Sequence, residues 1–126
     1  MSEANYRIHV QVQPEYAEEH SDADEGRFVF IYNVSIRNEG NVSAQLLRRH
    51  WIITDANGEV QEVEGEGVIG EQPDIPPGGS HDYKSFCVLD TPIGCMQGSY
   101  QMQAADGTDF EAQIEPFTLA IPGSLN

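Results

Sequence analysis

Basic residues are scarce. The chain has 126 residues and carries one lysine, Lys84, and five arginines against 21 aspartates and glutamates, a net charge of −15. Nucleic-acid binding rests on Lys and Arg neutralising phosphates. A chain this acidic repels that backbone at long range, and repels an anionic membrane surface for the same reason. Neither is expected as a partner, whereas a basic protein or a divalent cation meets no such barrier. Cysteine is nearly missing too. Cys87 and Cys95 have no CxxC spacing and make no disulfide framework. Long apolar runs are absent. The longest is Phe28 to Tyr32, far short of the roughly 20 residues that cross a bilayer. The opening residues Met1 to Asn5 lack the basic and apolar regions of a secretory signal. Together these absences predict a soluble cytoplasmic protein with reduced thiols, and nothing in the sequence calls for a cofactor.

A 3.6-residue apolar stripe is also missing. Period-2 alternation takes its place, the signature of half-buried strands. Tyr6, Ile8, Val10 and Val12 alternate with polar residues, and Phe28, Phe30, Tyr32, Val34 and Ile36 do the same. Val29 and Ile31, on the opposite face, predict that the first half of that strand is covered on both sides. Glu15 to Gly26 reads as a flexible loop or wide hairpin tip, and Asn38 to Asn41 as a turn. From Val42 to Thr54 the apolar phase slips between Leu46 and Leu47, which predicts a β-bulge or bend. Asp55-Ala56-Asn57-Gly58 reads as a hairpin turn into a short acidic strand around Val60 and Val63. Gly65 to Gly79 is a long ordered loop or crossover. Tyr83 to Leu89 is strand-like, and Thr91 to Gly94 turns the chain. Tyr100 to Ala104 forms another strand, and Asp106-Gly107 is a tight turn. Phe110 to Ile114 alternates, and a last strand carries Phe117, Leu119 and Ile121 past Pro116. Seven to eight short antiparallel strands predict an all-β sandwich of the immunoglobulin-like or fibronectin type III-like kind. The length fits a single domain over residues 1–126, its core at about 6–121.

Gly65, Gly67 and Gly70 spell GxGxxG. A dinucleotide site needs that loop to open a helix, but Glu71-Gln72-Pro73-Asp74-Ile75-Pro76-Pro77 follows and cannot continue as one. Eight acids and no Lys or Arg lie between His50 and Tyr83. A structural turn is therefore expected, with anion or nucleotide contact through backbone amides as the alternative. In Arg48-Arg49-His50-Trp51, alternation puts Arg49 on the face of Trp51 and Ile53, with Arg48 and His50 opposite. An inward Arg must be paired or hydrogen-bonded. Arg49 reads as an anchor gripping a carboxylate or loop carbonyls, or else as an anion-binding group at the sandwich rim. Trp51 is expected in the core.

Other constellations fail their tests. Glu18 to Gly26 lacks the third carboxylate of an EF-hand loop, and its glycine comes one residue early. The histidines show no i, i+4 metal spacing. No GxSxG elbow appears, and the cysteines lie in base-poor surroundings that do not favour a thiolate. No catalytic or metal-binding residue is assigned, and no enzyme activity is expected.

Several segments, taken together, are similar to the ApaG family (the DUF525 domain). They are Ile36 to Gly40, Gln45 to Asp55, Val63 to Pro73, Pro77-Gly78, Tyr83-Lys84-Ser85, Thr91 to Tyr100 and Phe117-Thr118-Leu119. They run in order from about Tyr6 to Ile121. The resemblance implies the same sandwich. It places the family's Arg-x-Trp element on Arg49 and Trp51 and its glycine loop on Gly65, Gly67 and Gly70, with Trp51, Arg49 and Tyr83 as structural residues. His81 and Phe86 depart from the pattern, standing where an aromatic and a glycine are usual. The family takes its name from a gene beside a diadenosine tetraphosphate hydrolase. Members are linked to cobalt tolerance and magnesium efflux, and the domain recurs in eukaryotic F-box and polymerase-interacting proteins. The resemblance thus implies a non-catalytic module for protein–protein interaction. The alternative is a pyrophosphate or nucleotide-type anion, with or without a divalent cation, held by Gly65, Gly67, Gly70 and Arg49. A homodimer through edge strands is compatible with either.

Overall fold

Alternating side chains need two sheets to bury one face each, and two sheets form. The computed structural model describes residues 3–123. Eight strands follow in order: β1 (Ile8–Tyr16), β2 (Phe28–Asn38), β3 (Ala44–Asp55), β4 (Val60–Glu66), β5 (Asp74–Ile75), β6 (Ser80–Leu89), β7 (Ile93–Ala104) and β8 (Asp109–Ala120). One sheet has the order β1-β2-β6. The other has the order β4-β3-β7-β8, and β5 adds two residues against the start of β3. Every strand pair is antiparallel, and the two sheets make a β-sandwich.

The core is the alternation made solid. Phe28, Phe30, Tyr32, Val34 and Ile36 of β2 face Leu46, Trp51 and Ile53 of β3, with Met96, Tyr100 and Met102 of β7 beside them. Trp51 sits at the centre, with the rings of Tyr32, Tyr100 and Phe117 at 5.4, 6.3 and 6.1 Å. Of the two outer-face residues expected to be covered, Val29 is buried and Ile31 is half-buried. The segment after β1 reaches Val29, since Ala17 N–H donates to the Val29 carbonyl at 2.8 Å. Asn38 is fully buried and fully satisfied. Its amide donates to the carbonyls of Val42 and Ile75 and its carbonyl oxygen accepts from Gly40 N–H, tying the β2–β3 turn to β5.

The phase slip of β3 is a bulge, and β8 carries a second one. Leu46 pairs with Met102 and Arg48 with Gln101, so Leu47 is the extra residue of β3. On β8, Phe117 pairs with Met96 and Ile114 with Gly98. The expected break at Pro116 is therefore a bulge inside one continuous strand. The proline is tolerated because β8 lies at a sheet edge and the bulge removes the need for its missing N–H.

Three other expectations change. Glu15 to Gly26 is an ordered hairpin end with two short 3-10 turns, Glu18–His20 and Ala23–Glu25, closed by an Asp22–Arg27 bridge. The turn read at Thr91 to Gly94 ends sooner, and β7 begins at Ile93. The stretch Gly65 to Gly79 contains the end of β4, a small hairpin and β5.

Candidate functional site

The β3 bulge builds the most distinctive site. If alternation ran on through Leu47 without a bulge, Arg48 and His50 would point inward; the bulge resets the phase so that Arg49 does. The bulge also frees the Leu47 carbonyl, which accepts from Gly67 N–H at 2.8 Å and Gln72 Nε2 at 3.0 Å. Leu46 N–H donates to the Pro73 carbonyl at 2.9 Å. The glycine loop is thereby stitched to the bulge.

Arg49 then grips the loop from inside. Its Nη1 donates to the carbonyls of Glu66 and Gly67 at 3.1 and 3.0 Å. Both partners are backbone carbonyls and neither is a carboxylate. Among the described residues, no acidic oxygen lies within ion-pairing distance of Arg49. The guanidinium lies over Gly65, where an added Cβ would stand 2.9 Å from it.

The loop itself is a two-residue hairpin. Val68 and Glu71 exchange both backbone hydrogen bonds, at 2.8 and 3.0 Å. Ile69 and Gly70 between them both have positive φ, 48° and 76°, as a type I′ turn requires. Gly67 is also in the left-handed region, and a Cβ there would fall 2.1 Å from the Glu71 carbonyl oxygen. No helix leaves Gly70, and the amides of Gly67, Val68 and Glu71 all donate within the protein. Ile69 is unusual, because a β-branched residue is strained at positive φ, yet here it is 61% exposed.

Loop and arginine enclose a cavity of about 290 Å³ between the sheets. Arg49, Trp51 and Val68 form one wall, Tyr32, Tyr83 and Ser85 the other, and Glu66, Ile69 and Gly70 the rim. Tyr83 of β6 hydrogen-bonds Tyr100 of β7 across the sandwich. Burial raises the hydroxyl pKa values of Tyr32, Tyr83 and Tyr100; the hydrogen bond with Tyr100 offsets this most at Tyr83, and the Arg49 charge lowers all three by a smaller effect. A hydrogen bond from Ser85 also lowers that of Tyr32. All three tyrosines stay protonated at neutral pH and offer hydroxyls.

The site therefore joins Gly65, Gly67, Gly70, Arg49, Trp51 and Tyr83. Sequence reasoning missed Tyr32 and Ser85, and it missed Ile69. Ile69-Gly70 between two potential pairing residues was the available sign, but β-branched residues are not expected in that turn. Elsewhere, His50 faces outward as expected. Its Nε2 is 3.6 and 3.8 Å from carboxylates of Glu62 and Glu64. Among the described residues, no three His, Cys, Asp or Glu side chains converge to hold a metal, and no helix is long and apolar enough to cross a membrane.

The ApaG domain (DUF525) profile matches residues 18–104. Protein ApaG of Azotobacter vinelandii is 55% identical over 126 residues, and Protein ApaG of Pseudomonas putida F1 is 52% identical, each over the whole of both chains. A crystal structure of a protein described as ApaA, from Bordetella pertussis, superposes with a TM-score of 0.92. It is 46% identical and covers 94% of this chain and 97% of that one.

Proposed function

The chain belongs to the ApaG domain family, and on that premise we propose that it is a non-catalytic cytoplasmic module that binds a protein partner through the rim between β4 and β6. On its strand order, three strands against four, we assign the sandwich to the immunoglobulin and fibronectin III type. The observation that carries the binding reading is Ile69. A β-branched side chain is held at φ 48° and pointed into solvent, a backbone state costing about 1–3 kcal/mol. Stability alone would select glycine or asparagine there. Phe86, on the outer face of β6, is 64% exposed as well. β6 hydrogen-bonds only β2 among the described residues, which leaves an edge for a partner strand. A family link to cobalt tolerance and magnesium efflux would act through that partner.

Ile69→Gly tests the reading, because it relieves the backbone while deleting the side chain. The variant is expected to melt higher than the parent and to recover its partner less well in crosslinking and mass spectrometry from cell extract. Unchanged recovery would remove Ile69 from the interface. A second reading, a pyrophosphate or nucleotide-type anion at Arg49 and the glycine loop, is favoured by the absence of an acidic partner for Arg49. Calorimetric titration with ATP, pyrophosphate and Mg²⁺ tests it, and no heat at millimolar ligand ends it.

A further inference from the structure

Arg49 is an inward guanidinium with donors to spare. Nη1 holds the two loop carbonyls, while Nε and Nη2 make no hydrogen bond among the described residues. A half-buried cation without a counter-charge is costly unless something neutralises it. The walls opposite add the hydroxyls of Tyr83 and Ser85, and Trp51 and Val68 supply an apolar floor. One guanidinium, a few hydroxyls and an apolar surface suit a single planar anion on an apolar body, with two oxygens for the guanidinium fork.

A phosphate chain fits poorly. The amides of Val68 and Glu71 bond each other's carbonyls and that of Gly67 donates to the Leu47 carbonyl, so these three form no anion nest. Glu66 stands at the rim, and the net charge of −15 opposes each further negative charge on a ligand. The cavity, about 290 Å³, lies at the small end for a free ligand (roughly 300–1,000 Å³). It is large enough for the end of a chain. It also opens beside the free edge of β6, where Ser85 to Leu89 carry no charge and no proline to deter strand pairing.

We propose that the Arg49 pocket receives the C-terminal carboxylate of a partner polypeptide whose last residues add as a strand to β6. This rests on the protein-binding reading and names the part of the partner that is bound. The remainder of that segment is basic, to match the acidic surface, and its last side chain is apolar, to meet Trp51 and Val68.

Trp51 is the only tryptophan and lies in the pocket wall, so its emission reports occupancy. The experiment titrates a library of basic hexapeptides with a varied apolar last residue, each made as free acid and as amide, alongside phenylacetate and pyrophosphate. Saturable emission changes are expected for some acids, with the matching amides at least about 10-fold weaker. Arg49→Ala should abolish the difference. Because that variant also loosens the loop, Ser85→Phe, which fills the pocket from β6, must weaken the acids with melting unchanged. Acids and amides binding alike would overturn the carboxylate inference and leave the protein-binding reading standing. Phenylacetate binding more tightly than every peptide acid would overturn the chain-end assignment. Pyrophosphate alone binding, or no peptide binding in either form, would overturn both.

Discussion

The two long sides of the sandwich are built on different chemistry. On one side β1 runs against β8. Ile8, Val10 and Val12 pack onto the core there, the Tyr6 ring lies 5.3 Å from Phe110, and the Tyr6 hydroxyl donates to Asp106 at 2.6 Å. On the other side β4 and β6 make no comparable contact, and β4 has no buried residue. The Tyr83–Tyr100 hydrogen bond crosses between the sheets, while Arg49 holds the loop at the end of β4. Apolar burial is non-directional and closes one side for good. Aimed polar bonds hold the other side in shape while leaving donors that a ligand can use. One fold thus carries a sealed side and an open side.

The comparison can be broken at Trp51, which serves both the core and the pocket. Trp51→Ala is expected to cost about 3–5 kcal/mol, read by chemical denaturation. A loss under 1 kcal/mol would mean that the pocket wall is not part of the core. Next come two glycines of the open side. Gly70→Ala meets open space and should cost only the left-handed backbone penalty, about 1–2 kcal/mol. Gly67→Ala adds the collision with the Glu71 carbonyl, so it should cost more and also alter Trp51 emission; equal losses would deny the loop its role in shaping the pocket.

Smaller effects report on how tightly each side is closed. Burial pushes the Cys87 thiol up to about 12. At pH 8 it stays protonated, and labelling by a thiol reagent should be as slow as opening of β6. Because the unfolded thiol ionises near 9.0, the contribution of Cys87 to stability is complete below that pH and is lost as pH rises toward 12. Rapid labelling at pH 8 would show that the β6 edge opens locally. On the sealed side, hydrogen bonds from Tyr6 and Thr108 hold the Asp106 carboxyl below its usual 3.8. That contribution is present above 3.8 and fades as pH falls through the lowered value. Tyr6→Phe should therefore lower stability slightly at neutral pH, and the difference from the parent should shrink as pH falls through that value.

Much of this was legible in the chain. The slip at Leu46-Leu47 marked the bulge and put Arg49 beside Trp51. The prolines after Gly70 ruled out a helix. Pro116 misled, because a proline breaks a strand only where its N–H is needed, and at an edge bulge it is not. Tyr32 and Ser85 were hidden because in a strand an inward tyrosine or serine reads as core. Only the opposite sheet determines whether a cavity lies in front of it.

Side-chain alternation is a property of the backbone, repeating every two residues whatever lies nearby, so the sequence alone determined the strands, their inward faces and the sandwich. Partnership across the two sheets depends on distances between segments far apart in the chain. Tertiary structure therefore decided that Arg49 would meet carbonyls and no carboxylate, that Ile69 would be held out at positive φ, and that one side of the sandwich would stay open.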